Sequence, residues 1–101
     1  MRLEVVETGI RQGQDEKIPY ALTTTPWGSD PTDVEITAYD TSASYDEVTA
    51  TILSGDAAVD GDVITTPTVT SLTIGHTYRI EIKFTAGAKV LECFFLIKGQ
   101  R

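Results

Sequence analysis

Ser71 to Lys83 reads Ser-Leu-Thr-Ile-Gly-His-Thr-Tyr-Arg-Ile-Glu-Ile-Lys, and it restricts the fold more than any other stretch of the chain. Leu72, Gly75 and Tyr78 stand at intervals of three, with the glycine able to take backbone angles closed to other residues. That pattern predicts a corner, anchored by Leu72 on one side and Tyr78 on the other. From Tyr78 onward Ile80, Ile82 and Phe84 alternate with Arg79, Glu81 and Lys83, the period of a strand with one buried face.

The rest of the chain is also read as strands. Leu3–Glu7 is a short β-prone run, and Gly9–Lys17 is a polar loop or flexible arm. Ile18–Thr24 is a strand, and Pro26–Pro31, with two prolines and a glycine, is a loop. Val34, Ile36 and Ala38 alternate with Glu35, Thr37 and Tyr39; Asp40–Tyr45 is a turn; Val48–Leu53 returns to β-branched residues. Asp60-Gly61 separates Ala57–Val59 from Val63-Ile64, a hairpin signal. Ala86-Gly87-Ala88 joins the strand of the corner to a last strand, Lys89–Lys98. No window supports a helix. Leu72, Gly75 and Tyr78 resemble the tyrosine corner that opens the penultimate strand of immunoglobulin and fibronectin type III sandwiches. The expectation is an all-β, immunoglobulin/fibronectin type III-like sandwich of about seven strands in a single domain spanning residues 1–101, with residues 1–17 an N-terminal strand plus arm.

The last strand is apolar on both faces. Leu91, Cys93, Phe95 and Ile97 line one, while Val90, Phe94 and Leu96 share the other with Glu92. The second face needs a cover: the N-terminal segment, a long loop, or another subunit. Covering Phe94 and Leu96 is worth about 3–6 kcal/mol before association costs.

A formal net charge of −7 argues against nucleic acid, because the chain has little with which to replace the counterions of a phosphate backbone. One cysteine, Cys93, leaves no internal disulfide and gives no sign of an oxidising compartment. No apolar run approaches the roughly 20 residues of a membrane span. The N-terminus lacks the pattern of a secretory signal, so the chain is expected to be made in the cytoplasm and not secreted, with association to a virion open.

Catalytic chemistry is hard to assemble from these residues. His76 is the only histidine and sits in the corner; Cys93 falls on the inward face of an apolar strand. The two cannot supply a four-ligand zinc site, and no cofactor motif is present. Asp56, Asp60 and Asp62 surround a glycine, a loose cluster open to reading as an acidic hairpin or as a calcium site, although without the spacing of an EF-hand. The chain is therefore read as a non-enzyme. Trp27, at a loop tip beside Gly28, is the candidate contact residue; Tyr20, Tyr39 and Tyr45 are the aromatic residues that would extend it into a protein hot spot or a sugar-stacking platform.

Pro19-Tyr20, Trp27-Gly28-Ser29-Asp30-Pro31-Thr32, Tyr39-Asp40-Thr41-Ser42, Asp46-Glu47-Val48-Thr49 and His76-Thr77-Tyr78-Arg79, taken in order, resemble phage-related immunoglobulin-like proteins of fibre–tail or tail-adaptor positions. The resemblance implies a non-enzymatic virion component that packs into or decorates a ring or tube. The leading expectation is thus a structural module that self-assembles or docks on a larger particle through its last strand (Phe94, Leu96), its N-terminal arm and the Trp27 loop. The alternative is a small carbohydrate- or protein-binding sandwich module using the Trp27 loop and the neighbouring tyrosines, Tyr20, Tyr39 and Tyr45.

Overall fold

The computed structural model describes residues 2–4 as backbone and residues 10–25, 28 and 30–100 with their side chains. In chain order the elements are β1 (Arg2–Glu4), β2 (Arg11–Gly13), β3 (Ala21–Thr23), β4 (Thr32–Asp40), β5 (Asp46–Glu47), a helical turn α1 (Thr49–Ile52), β6 (Leu53–Ser54), β7 (Ala58–Asp60), β8 (Val63–Thr65), β9 (Thr68–Val69), β10 (Thr77–Ala86) and β11 (Lys89–Gln100). The main sheet runs β1-β11-β10-β4-β5, with β2 also pairing β11; β1 and β2 are parallel to β11 and the other pairs antiparallel. A second sheet, β3-β8-β7, and a small pair, β6-β9, complete an all-β, sandwich-like fold.

The alternation in the sequence sets the layers. Ile80, Ile82 and Phe84 on β10 and Cys93, Phe95 and Ile97 on β11 are buried. They form one core with Leu22 of β3, Ile64 of β8 and Val69 of β9. A fully buried aliphatic or aromatic side chain contributes about 1.5–3 kcal/mol, so this cluster is the main source of stability.

The corner closes as the Leu72–Gly75–Tyr78 spacing predicts. Leu72 and Tyr78 are buried, Gly75 has φ +86°, and the Thr73 N–H donates a 2.8 Å hydrogen bond to the Tyr78 hydroxyl. The turn is held against β11 at Gly99, whose N–H donates to the His76 carbonyl at 2.9 Å and whose carbonyl accepts from Gly75 N–H at 3.0 Å. A Cβ on Gly99 would collide with the Thr73 carbonyl oxygen, so this approach requires glycine.

Three local expectations are corrected. Val48–Leu53 is not one strand. The Val48 N–H donates to the Ala38 carbonyl, the Ala38 N–H donates to Thr49 Oγ1, and the Ile52 N–H folds back onto the Val48 carbonyl. The resulting turn of helix carries Ile52 into the core at 1% exposure, a gain that outweighs the few tenths of a kcal/mol by which β-branched residues disfavour helix. The hairpin loop is Gly61-Asp62 rather than Asp60-Gly61, because Asp60 pairs with Val63 and Gly61, at φ +60°, is the first loop residue.

The third correction concerns the N-terminal arm. Within Gly9–Lys17, Gly9 lies outside the described residues, and Arg11–Gly13 is a strand on β11. Its cause is Gln12, fully buried, whose Nε2 donates to the carbonyls of Val69 (2.7 Å) and Glu16 (3.0 Å) while its Oε1 accepts from the Tyr20 hydroxyl (2.8 Å). Every polar atom of the amide is satisfied inside, so the segment is stitched to the core. The strands among the described residues range from two residues in β5, β6 and β9 to twelve in β11, within the all-β, sandwich-like fold expected.

Candidate interaction surface

The outward face of the main sheet is set by register. Arg79 of β10 lies between Tyr39 of β4 and Leu96 of β11, so the three form a row across the sheet. Tyr45, in the β4–β5 loop, extends the row, with its ring centroid 6.4 Å from that of Tyr39. Phe94 lies beside the row, and the Arg79 guanidinium sits 3.7 Å from its ring centroid. The same guanidinium pairs with Glu81, Nε to Oε2 at 2.8 Å, close in distance but not aligned as a hydrogen bond.

The apolar outer face of β11 is therefore covered from within its own sheet at Phe94, by a cation–π contact worth about 0.5–1 kcal/mol. Elsewhere it is open: Val90 is 58% exposed and Leu96 37%. Leu96 borders a hollow of about 190 Å³ whose other walls are Ile10, Arg11, Thr77 and Lys98. The last strand and the N-terminal segment, separate candidates in the sequence, meet here as one surface that is apolar at its centre and basic at its rim.

The remaining candidates divide. Tyr45 is 56% exposed and has φ +58°, with Ser44 before it at φ +57°. An aromatic residue in this region is strained, and such strain concentrates at working sites. Tyr20 does not join Tyr39 and Tyr45: its ring packs on Phe95 at 5.4 Å and its hydroxyl donates to Gln12. Burial, and secondarily the charge of Glu16, raise the phenol pKa, so Tyr20 stays a hydrogen-bond donor. Trp27 lies outside the described residues. Its neighbour Gly28 packs on Ala86, at the end of β10 away from Arg79 and Tyr39.

Titratable groups elsewhere have local partners. His76 Nδ1 is 2.7 Å from Asp40 Oδ2, and Asp40 Oδ1 accepts from the Ser42 N–H, so the pair braces the corner against β4. Burial pushes the Cys93 thiol up to about 11, the character of a packed rather than a reactive thiol. Asp62 uses one carboxylate oxygen for the Thr25 hydroxyl (2.9 Å) and the other for the Asp30 N–H (3.1 Å), clasping the loop between β3 and β4. Asp56 and Asp60 are exposed, and among the described residues no three His, Cys, Asp or Glu side chains are grouped to hold a metal ion. Among the described residues no helix is long and apolar enough to cross a membrane.

Sequence reasoning missed Gln12 and Gly99, and it read Asp62 only as part of an acidic cluster rather than as a clasp on Thr25 and Asp30. Each acts on a residue distant in sequence, and no local period marks such a role. Arg79 was readable only as an outward strand residue, since its place over Phe94 depends on the β10–β11 register. The chain matches no protein-family model, no curated protein and no solved structure.

Proposed function

We propose that this chain is a non-catalytic structural module that associates with copies of itself through the outer face of β11 and the adjoining β2. The observation that carries the reading is the Leu96 hollow, where Ile10 and Leu96 are set between Arg11 and Lys98. An apolar centre with a charged rim is the anatomy of a protein–protein contact. The Tyr45–Tyr39–Arg79 row continues the surface with residue types enriched in contact hot spots.

The sheet order β3-β8-β7 opposite β11-β10-β4, together with the corner before β10, supports an immunoglobulin or fibronectin type III type of sandwich. In that frame, the motifs that resemble those of phage tail-associated immunoglobulin-like proteins favour a role as a virion or prophage tail component, made in the cytoplasm and built into a particle. The test is Leu96→Glu on a sizing column. Elution shifts toward the monomer while the circular dichroism spectrum is unchanged; an unaltered elution volume would remove the reading.

A further inference from the structure

The main sheet has two unlike margins. On one side, β4 meets β5 only through Tyr39 and Asp40, and among the described residues no strand pairs with it on that side from Thr32 to Ile36. Ala38 turns its N–H and carbonyl outward, to Thr49 Oγ1 and Val48 N–H. The two-residue period of an antiparallel ladder therefore turns those of Ile36 outward as well, to an open edge. Beside that edge lies a groove of about 490 Å³, walled by Val34, Ile36, Leu53 and Pro67 and carrying the carboxylates of Glu47 and Asp56.

The opposite margin of the same sheet is formed by β1 and β2 on β11. Its hollow is also apolar, but its charges are Arg11 and Lys98. Groove against groove would oppose carboxylates, and margin against margin would oppose cations, each unfavourable at a contact. Head-to-tail contact relieves both, and it is the heterologous arrangement that adds subunits in one direction.

We infer that the acidic groove beside β4 receives the basic β2–β11 margin of a second copy of this chain, with Ile36 presenting its backbone N–H and carbonyl to the incoming subunit. This rests on the self-association proposed above and supplies the other half of that interface.

The experiment is a charge-swap complementation read by sedimentation velocity at low and high salt. It compares the wild type, Glu47→Lys/Asp56→Lys, Arg11→Glu/Lys98→Glu, and an equimolar mixture of the two variants, with thermal melts to verify folding. Each double variant alone associates at least tenfold more weakly than the wild type; the mixture recovers association, and the wild-type contact weakens with salt. A mixture that stays monomeric overturns the inference. So does a Glu47→Lys/Asp56→Lys chain that associates like the wild type while Leu96→Glu does not, an outcome that leaves the β11 surface standing. A wild type that is monomeric throughout removes both.

Discussion

The Gln12 side chain donates a 2.7 Å hydrogen bond to the Val69 carbonyl, tying the second strand of the main sheet to β9 across 57 positions of sequence. The same amide accepts from Tyr20, so one buried residue joins three separate segments. Gln12→Leu keeps the volume but takes the partner from the Tyr20 hydroxyl and leaves the Val69 carbonyl with the Ile18 N–H alone. The expected loss is about 1–3 kcal/mol, measured as a lower urea midpoint with an unchanged slope. A midpoint equal to the wild type would show that the amide is dispensable.

The corner offers a narrower test. Tyr78→Phe removes only the hydroxyl that accepts the Thr73 N–H. It is expected to destabilise by about 1 kcal/mol, seen as a fall of several degrees in Tm, with the sheet intact by circular dichroism. Gly99→Ala, which drives a methyl group against the Thr73 carbonyl, lowers Tm further.

Tyr45 combines strain with exposure. In the Ala43–Asp46 turn, Ser44 and Tyr45 both have positive φ, and the Asp46 N–H donates to the Ala43 carbonyl at 3.1 Å. Left-handed backbone at a non-glycine residue costs about 1–2 kcal/mol, so Tyr45→Gly raises Tm. The same substitution weakens self-association, because it removes the exposed ring beside Tyr39. A variant that is more stable and assembles as well as the wild type would mean that the strain serves something other than contact.

The thiol provides a pH test. Burial moves Cys93 from 9.0 to about 11, so between those values the unfolded chain has released its proton while the folded chain keeps it. Stability therefore falls as pH rises across that interval, with Cys93 contributing about 2 kcal/mol of the loss at most. Urea midpoints for Cys93→Ala decline less steeply over the same range. Parallel declines in the two proteins would remove the thiol as the cause.

What the sequence made legible follows from locality. The corner, β4, β10 and β11 are long alternating runs, and their faces come out as the two-residue period requires. The buried face of β11 and the apolar character of its outer face were both readable. The cover on Phe94 was not, because Arg79 reaches it across a pairing that no local pattern reveals. β2 was read as a loop since three residues with one buried glutamine carry no apolar period; its partner strand and Val69 define it. Thr49–Ile52 misled for the opposite reason, a strong local preference overruled by the burial of Ile52. For the candidate surface, Tyr45, Phe94 and Leu96 fall on one side of the molecule, Tyr20 turns to the core, and Ile10, Arg11 and Lys98 emerge only once β2 is laid on β11.

Self-association through the β11 face is tested most directly by the mass of the purified chain in solution, measured by light scattering over a wide concentration series. A mass that rises above 11.0 kDa with concentration toward a defined assembly is the predicted result. A constant 11.0 kDa at every concentration would contradict it.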